Sequence, residues 1–168
     1  KIDAIERQKE TYIKLSKQLF EEENCRYGKT NPSSDTRWPL LKDRYQILSL
    51  MGKGGFSEVY KALDLEELKY VACKIHQLSQ SWSENFKSNY IKHALRENQV
   101  HKNLQHPNIV SHLDSVEIDS NSFCAVLEFC NGPDLASYLR KHKTIPEKDA
   151  KSIAKQILSG LKFLNETS

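Results

Sequence analysis

Long apolar runs are absent from this sequence, and that absence argues against a membrane-spanning helix. A helix that crosses a bilayer needs roughly 18 or more consecutive, mostly apolar residues. The first residues are polar and basic, unlike the apolar stretch of a signal peptide. We therefore expect a soluble intracellular protein with no membrane partner.

Cysteine is also scarce, with four residues in the chain: Cys25, Cys73, Cys124 and Cys130. Their spacings match neither a zinc site nor a small disulfide scaffold. The sequence therefore predicts free thiols in a reducing compartment and no metal site.

An excess of charge of one sign is missing too. The formal net charge of +3 is too small to indicate a nucleic-acid or membrane surface, so we expect no direct nucleic-acid partner. The length of 168 residues suits one domain with a tail.

Residues 1–43 are expected to form that tail. Residues 1–24 are charged, free of Gly and Pro, and rich in helix formers. Apolar residues in this segment lie on alternating steps of three and four residues, at Ile5, Tyr12, Leu15 and Leu19. Gln8 interrupts this spacing. This pattern is compatible with a short coiled coil that self-associates, or with a solvated helix. Residues 25–43 contain Gly, Pro and Ser and indicate a linker.

From Arg44 onward the pattern predicts strands first and helices later. The expected strands are Tyr45–Gly52, Phe56–Leu63, Tyr70–His76, Ile109–Leu113 and Phe123–Phe129. Helices are expected over Ser88–Leu104, over Asp134–His142, and after a capping box of Thr144 and Glu147. Five strands with one long helix inserted, followed by helices alone, indicate an α+β fold with two lobes.

A glycine-rich turn in residues 51–59 is the first candidate for chemistry. Gly52, Gly54 and Gly55 would let backbone N–H groups approach a phosphate chain that side chains would block. The turn lies between two strands, which argues against the Rossmann and Walker A motifs. An ordinary hairpin turn is the alternative. Val59 follows at a spacing that can cover a flat base.

Lys74 and Glu97 are candidate partners in that site. Strand alternation places Lys74 on one face with Ala72, and the small side chain leaves room for a ligand. Glu97 falls on the helical stripe of Tyr90, Ala94, Val100 and Leu104, which is expected to face inward. Acids on such faces are rare unless paired, so Lys74 is the expected partner. The alternatives are a solvent-facing lysine and a surface acid.

Together these motifs resemble the front half of the eukaryotic protein kinase domain. The glycine loop has Ser57 where the third glycine of the family normally lies. Further segments similar to the family are Val71–Lys74, Arg96–Glu97, Leu104–Val110 and the hinge Val126–Cys130. Within the family the chain resembles the Tousled-like serine/threonine kinases, through Gly54–Ala62, Lys74–Leu78, His93–Glu97 and Asp119–Cys124.

The resemblance implies a truncated kinase-like α+β fold. A five-stranded antiparallel N-lobe with one helix would cover about 44–130, and the first C-lobe helices about 131–168. It implies ATP binding, transfer of the γ-phosphate to serine or threonine of protein substrates, and nuclear localisation.

The resemblance also implies roles for single residues. Lys74 and Glu97 would be the catalytic pair, Leu127 the gatekeeper, and Asp134 the ribose contact. The backbone groups of Glu128 and Cys130 would bind the adenine edge. The full expected nucleotide set is Met51, Gly52, Lys53, Gly54, Gly55, Phe56, Ser57, Glu58, Val59, Ala72, Lys74, Leu127, Glu128, Cys130 and Asp134.

The sequence stops at Ser168, before the segments that carry the family's catalytic loop and metal ligands. Mg²⁺ is therefore expected only for the complete kinase, and this segment alone is expected to be inactive. The last helix is expected to expose an apolar stripe. Three interpretations stay open: part of an active kinase, a non-catalytic nucleotide-binding module, or a scaffold that self-associates through its N-terminal helix.

Overall fold

The computed structural model describes residues 5–6 and 39–167. Ile5 and Glu6 are helical, and the rest of the predicted tail helix, its self-association seam and most of the linker lie outside the described residues. The strands are β1 Leu40–Leu41, β2 Tyr45–Lys53, β3 Ser57–Asp64, β4 Lys69–Gln77, β5 His112–Asp119 and β6 Ser122–Glu128. The helices are α1 Glu84–Lys102, α2 Leu135–His142 and α3 Glu147–Thr167. The predicted α+β class is confirmed.

The strands form one sheet in the order β1-β2-β3-β4-β6-β5, and β1 to β4 pair in antiparallel fashion. The five predicted strands are present, with one addition. The two-residue strand β1 lies in the segment predicted as linker and pairs Leu40 with Gln46. Lys42 and Asp43 both have φ near +50° and turn the chain back into β2. A strand of two residues shows no alternation of apolar and polar side chains, so the sequence pattern could not predict it. Its pairing with β2 is what defines it as a strand.

Three predicted boundaries are wrong for local reasons. Strand β5 begins at His112 rather than Ile109, because Ile109 N–H donates to the carbonyl of His106 and holds a turn. Helix α1 begins at Glu84, four residues before the predicted Ser88, because Ser83 caps it by accepting from Phe86 N–H.

The third boundary concerns α3. This helix begins at Glu147, where the Pro146 carbonyl accepts the Ala150 N–H at 2.9 Å, so the predicted cap at Thr144 lies outside it. Pro146 directly before the helix suits the preference of proline for helix starts.

The chain divides into two compact units, and most of the buried apolar side chains belong to the first. The first unit comprises Lys1–Ser81 and Val116–Cys124. Its core includes one face of the β3–β4 pair, where Tyr60, Ala62, Val71, Cys73 and Ile75 are each at most 2% exposed. Strand alternation turns these residues to one side and their neighbours to the other.

A partly buried ion pair in the first unit joins Arg44 to Asp64, whose side chains are 28% and 2% exposed. The Arg44 guanidinium donates from Nε and Nη2 to the two carboxylate oxygens of Asp64, at 2.9 and 2.8 Å. Asp64 also accepts the backbone N–H groups of Glu66 and Glu67. These hydrogen bonds, led by those from Arg44, lower the pKa of Asp64 to about 2.

The second unit comprises Trp82–Ser115 and Ala125–Ser168. Helix α3 packs on the turn after α1, where a Cβ on Gly160 would come within 3.3 Å of the Asn108 carbonyl oxygen. His106 stacks on Phe163 and hydrogen-bonds Ser159. Part of the apolar face of α3 is open to solvent, with Ile157 and Leu161 53% and 56% exposed. The expected exposed apolar stripe is confirmed at these two positions.

No helix in the described part of the chain is long and apolar enough to cross a membrane.

Candidate functional site

The glycine-rich turn joins β2 to β3, between two strands as predicted. Gly54 N–H donates to the Ser57 carbonyl at 2.7 Å and closes the turn. A Cβ at Gly52 or Gly55 would meet nothing within 4 Å, so both positions face open space. The turn therefore presents backbone that a ligand can approach, which suits the phosphates of a nucleotide.

An ion pair spans the base of this turn. Lys53 Nζ lies 2.8 Å from Glu58 Oε1, and the Tyr60 hydroxyl donates to Glu58 Oε2 at 2.6 Å. Lys53 and Glu58 also face each other in the β2–β3 register. The Glu58 side chain thus ties the two strands together, so any contact of Glu58 with a nucleotide would come from its backbone. Sequence reasoning missed this cross-strand pair, although opposite charges flanking a hairpin turn are a usable signal.

Lys74 lies on β4 directly opposite Val59 on β3. Opposed residues of an antiparallel pair share a face, so Lys74 lies on the same side of the sheet as Val59 and Ala72. Lys74 is half-buried, whereas its neighbours Cys73 and Ile75 are at most 1% exposed on the other face. The structure therefore brings together the lysine, the small residue and the branched residue that the sequence singled out.

Glu97 lies on α1, and its position differs from the expectation. The predicted inward face is only partly correct: Ala94 is buried, but Glu97 is exposed and Val100 is 53% exposed. Burial, followed by the negative charge of Glu97, raises the pKa of Tyr90. Glu97 also lines an open cavity of about 580 Å³ within the second unit, with Val100. Lys74 belongs to the first unit, so its pairing with Glu97 stays a prediction.

The predicted hinge is the end of β6 and the residues after it. Leu127 is half-buried, and Glu128 and Cys130 are exposed. The Glu128 N–H donates to the Ser111 carbonyl at 2.9 Å, and Glu128 Oε2 accepts the Ser111 N–H at 3.1 Å. The Glu128 side chain thus fastens this segment to the start of β5, a role that sequence reasoning did not find. Cys130 is not part of a disulfide, and neither are the buried Cys73 and Cys124.

Asp134 caps helix α2. Its Oδ1 accepts the Ser137 N–H and its Oδ2 accepts the Ser137 hydroxyl, both at 2.7 Å. These hydrogen bonds lower the pKa of Asp134. Gly132, with φ at +135°, makes the preceding turn in a conformation that side chains rarely adopt. The result is a charged, exposed carboxylate at a fixed place two residues after a turn. The Asp-x-x-Ser spacing could have indicated this cap.

No group of three or more His, Cys, Asp or Glu residues is placed to hold a metal ion among residues 5–6 and 39–167.

The protein kinase domain family matches residues 45–168 of this chain, and the chain therefore belongs to the protein kinase family. Among curated proteins it is 48% identical over 165 residues to the human serine/threonine-protein kinase tousled-like 2, covering 98% of this chain and 20% of the relative. It is 46% identical to the TOUSLED kinase of Arabidopsis thaliana, covering 99% of this chain and 24% of the relative. It is also 46% identical to the tousled-like 1 kinase of Caenorhabditis elegans, covering 96% of this chain and 18% of the relative.

These relatives confirm the predicted resemblance to the Tousled-like kinases. The chain spans about a fifth of the length of the curated relatives it matches.

Proposed function

We propose that this chain is the ATP-binding part of a serine/threonine protein kinase, and that the complete protein transfers the γ-phosphate of ATP to protein serine and threonine residues. The observation that supports this most directly is Lys74, opposite Val59 and two residues from Ala72 on a half-exposed face of the sheet. The open glycine turn directly precedes β3, the strand that carries Val59. In this proposal, residues 44–130 form the N-lobe and residues 131–168 begin the C-lobe.

Each group has a physical task in the proposed site. The backbone of the glycine turn surrounds the phosphates, and the Lys74 ammonium offsets their charge. Val59, Ala72 and Leu127 provide apolar contacts for the adenine ring. Glu128 and Cys130 supply backbone groups to its polar edge, and the Asp134 carboxylate accepts a hydrogen bond from the ribose.

Glu97 is proposed to hold Lys74 in place. A carboxylate near the ammonium group would keep it charged and oriented toward the phosphates. Mg²⁺, bound by ligands in other parts of the complete protein, would neutralise charge on the phosphates during transfer.

The test is ATP binding by Lys74→Met, measured by isothermal titration. Removal of one charge-assisted contact to phosphate should weaken ATP binding by about 10- to 100-fold, since such contacts contribute about 1.5–3 kcal/mol. Adenosine, which has no phosphate, should bind both proteins equally.

Lys69→Met is the matched control, because Lys69 lies at the opposite end of the same strand, across from Asp64 in the β3–β4 register. It should leave ATP affinity unchanged. Equal ATP affinity of the Lys74 variant and the unchanged protein would refute the proposed site. Glu97→Ala should weaken ATP binding less than Lys74→Met, because it acts through the lysine.

The resemblance to the Tousled-like kinases supports two wider proposals: nuclear localisation and phosphorylation of protein substrates. A third proposal, self-association through residues 1–24, depends on the apolar spacing of that segment alone.

A further inference from the structure

Helix α3 has four exposed lysines on one side, which we call the lysine stripe. They lie at successive steps of three, four and seven residues, a spacing that places side chains on one face of a helix. The members are Lys148, Lys151, Lys155 and Lys162. The stripe is about 21 Å long, because each helical residue adds about 1.5 Å. Gly160, the buried residue of α3, packs on Asn108 from the other side of the helix, so the stripe faces solvent.

The basic end of α2 lies close to this stripe. Residues 140–142 form the last turn of α2 and are all basic, and Lys143 caps the helix. Residues 143–146 alone connect the two helices. The Cα of Lys143 therefore lies at most about 17 Å from that of Lys148, the first lysine of the stripe. Both helices belong to the second unit, so the two groups of cations form one surface.

Positive charge is concentrated in this part of the sequence. Residues 140–162 contain seven Lys or Arg residues and two acidic ones, which gives a net charge of +5 with histidine neutral. The whole chain has a net charge of +3, so its other residues together carry −2.

Much of this charge has no acidic partner within the part of the chain that the structure describes. Ion pairs join Lys151 to Glu147 at 2.6 Å and Lys162 to Glu166 at 3.8 Å. Both pairs are exposed, and such pairs are weak enough to exchange with another carboxylate. The lysines of this surface that have no carboxylate partner among residues 5–6 and 39–167 are Lys141, Lys143, Lys148 and Lys155.

Helix stability explains the cations of α2 but not the first lysine of the stripe. The C-terminal end of a helix carries a partial negative charge, so basic residues stabilise the last turn of α2. The N-terminal end carries a partial positive charge, and Lys148, the second residue of α3, is unfavourable there. Glu147 and Asp149 are the residues of that turn that stabilise it. Lys148 is therefore better explained by a partner outside its own helix.

We propose that the lysine stripe and the basic end of α2 form a docking surface for a protein segment rich in aspartate and glutamate. This inference goes beyond the proposed function and does not depend on ATP binding. Carboxylates at steps of three and four residues on a helical segment repeat at the same spacing as the stripe. Such a segment can pair its carboxylates with successive ammonium groups along α3.

Two features favour an acidic protein segment over a nucleic acid. A long polyanion would extend beyond the stripe and meet the rest of the chain, which carries −2, whereas a short acidic segment would not. Single-stranded nucleic acids also bind through exposed aromatic rings that stack on bases. The one aromatic residue of α3, Phe163, stacks on His106 instead, and Tyr138 of α2 stacks on His142.

The test uses the whole chain without ATP and a fluorescein-labelled helical peptide. The peptide has about 15 residues, enough to follow the stripe, with glutamate at alternating steps of three and four. A second peptide has glutamine at the same positions. Fluorescence anisotropy at about 50 mM salt should show binding of the glutamate peptide and none of the glutamine peptide. Raising the salt to about 300 mM should weaken binding at least about threefold, because salt screens exposed charges.

Variants of the stripe test its role. Lys148→Gln combined with Lys155→Gln should weaken binding of the glutamate peptide at least about threefold, since two charge contacts are lost and helix propensity hardly changes. Lys148→Arg combined with Lys155→Arg keeps the charge and should bind as the unchanged chain does. Lys92→Gln combined with Lys102→Gln is the matched control, because it removes two exposed lysines of α1, also in the second unit. It should leave the affinity nearly unchanged.

Three outcomes would overturn the docking surface. The first is that the glutamate peptide does not bind the unchanged chain. The second is equal weakening by the α1 and α3 glutamine variants, which would reduce the effect to net charge. The third is a single-stranded oligonucleotide of equal charge that binds more tightly than the peptide and is lost in the same α3 variant, which would assign the surface to nucleic acid. ATP enters none of these measurements, so failure here leaves the proposed nucleotide site intact.

Cross-linking locates the bound peptide. A carbodiimide condenses a carboxylate with an amine in direct contact to form an amide, so it joins the glutamates of the peptide to the lysines that they touch. Mass spectrometry should find the peptide attached to Lys148, Lys151 or Lys155. Attachment to Lys92 or Lys102 instead would place the peptide elsewhere and contradict the proposal.

Discussion

The two units of this chain differ in how they bury apolar surface. Among the described residues, the buried apolar side chains lie in the first unit with three exceptions, Ala94, Ala125 and Val126. The second unit instead exposes Ile157, Leu158 and Leu161 on α3 by more than half. The first unit has a well-filled core within the described chain, whereas α3 keeps most of one apolar face in contact with solvent.

The difference follows from the two kinds of element. Paired strands bring β-branched and aromatic residues from several segments onto one face, so a few short strands bury each other's side chains. A helix buries its stripe only against another element, and α3 packs closely along Gly160 and its neighbours alone. We therefore expect core substitutions to affect stability strongly in the first unit and weakly in α3.

The largest expected difference in stability is between two isoleucine-to-alanine variants, one in each unit. Ile75→Ala, at 1% exposure, should lower the free energy of unfolding by about 3 kcal/mol, through lost burial and a new cavity. Ile157→Ala, at 53% exposure, should lower it by less than about 1 kcal/mol. Urea denaturation of the two variants measures both values. Similar losses at the two positions would show that the units do not differ in packing.

The Arg44–Asp64 pair predicts a dependence on pH that belongs to the first unit. Because folding lowers the pKa of Asp64 to about 2, the pair stabilises the fold above the ordinary aspartate pKa. This stabilisation should disappear as the pH falls from about 5 toward 2. Unfolding of Asp64→Asn and the unchanged protein, compared across this range, should show a difference in the free energy of unfolding that is largest near neutral pH and much smaller by pH 2.

Glu66→Gln is the control for that measurement. Glu66 also contacts Arg44, at 2.7 Å, but its side chain is 66% exposed. Exposed ion pairs contribute about 0–1 kcal/mol, so the change should be small. A constant difference between Asp64→Asn and the unchanged protein down to pH 2 would contradict the assigned pair.

The smallest expected effect concerns Gly160, where the second unit is packed. Alanine normally stabilises a helix by about 1 kcal/mol relative to glycine. Here its Cβ would crowd the Asn108 carbonyl at 3.3 Å, so we expect Gly160→Ala to change stability by less than about 1 kcal/mol. Gly160→Leu should be clearly destabilising, because its larger side chain has to displace the turn. Thermal unfolding measures both variants, and a leucine that is tolerated as well as alanine would show that α3 does not pack there.

Elements with strong periodicity or a clear turn were predicted well from the sequence. The alternation of Val71 to Ile75 predicted which face Lys74 shares with Ala72, because side chains on a strand must alternate. The glycine turn was predicted because glycine weakens strands, so several glycines between two apolar segments indicate a turn. Strand β1 and the start of β5 were missed, since pairing with β2 and the turn at His106 define them rather than any local pattern.

Side-chain roles were harder to predict than positions. Glu97 was expected on a buried face but is exposed, because periodicity gives the angle around a helix and not the depth of the neighbouring elements. The bond from Glu128 to Ser111 joins residues 17 positions apart, one at the end of a strand and one in a loop. No spacing in the sequence measures the distance between such residues.

The sequence by itself determined the protein family, the order of strands and helices, and the residue types of the proposed ATP site, because local propensity and motif spacing carry that information. Only the tertiary structure decided that Val59 lies opposite Lys74, that Ser57 faces Gly54, and that α3 leaves Ile157 in solvent. Register and burial depend on which distant segments meet, and that is decided by the packing of the whole chain.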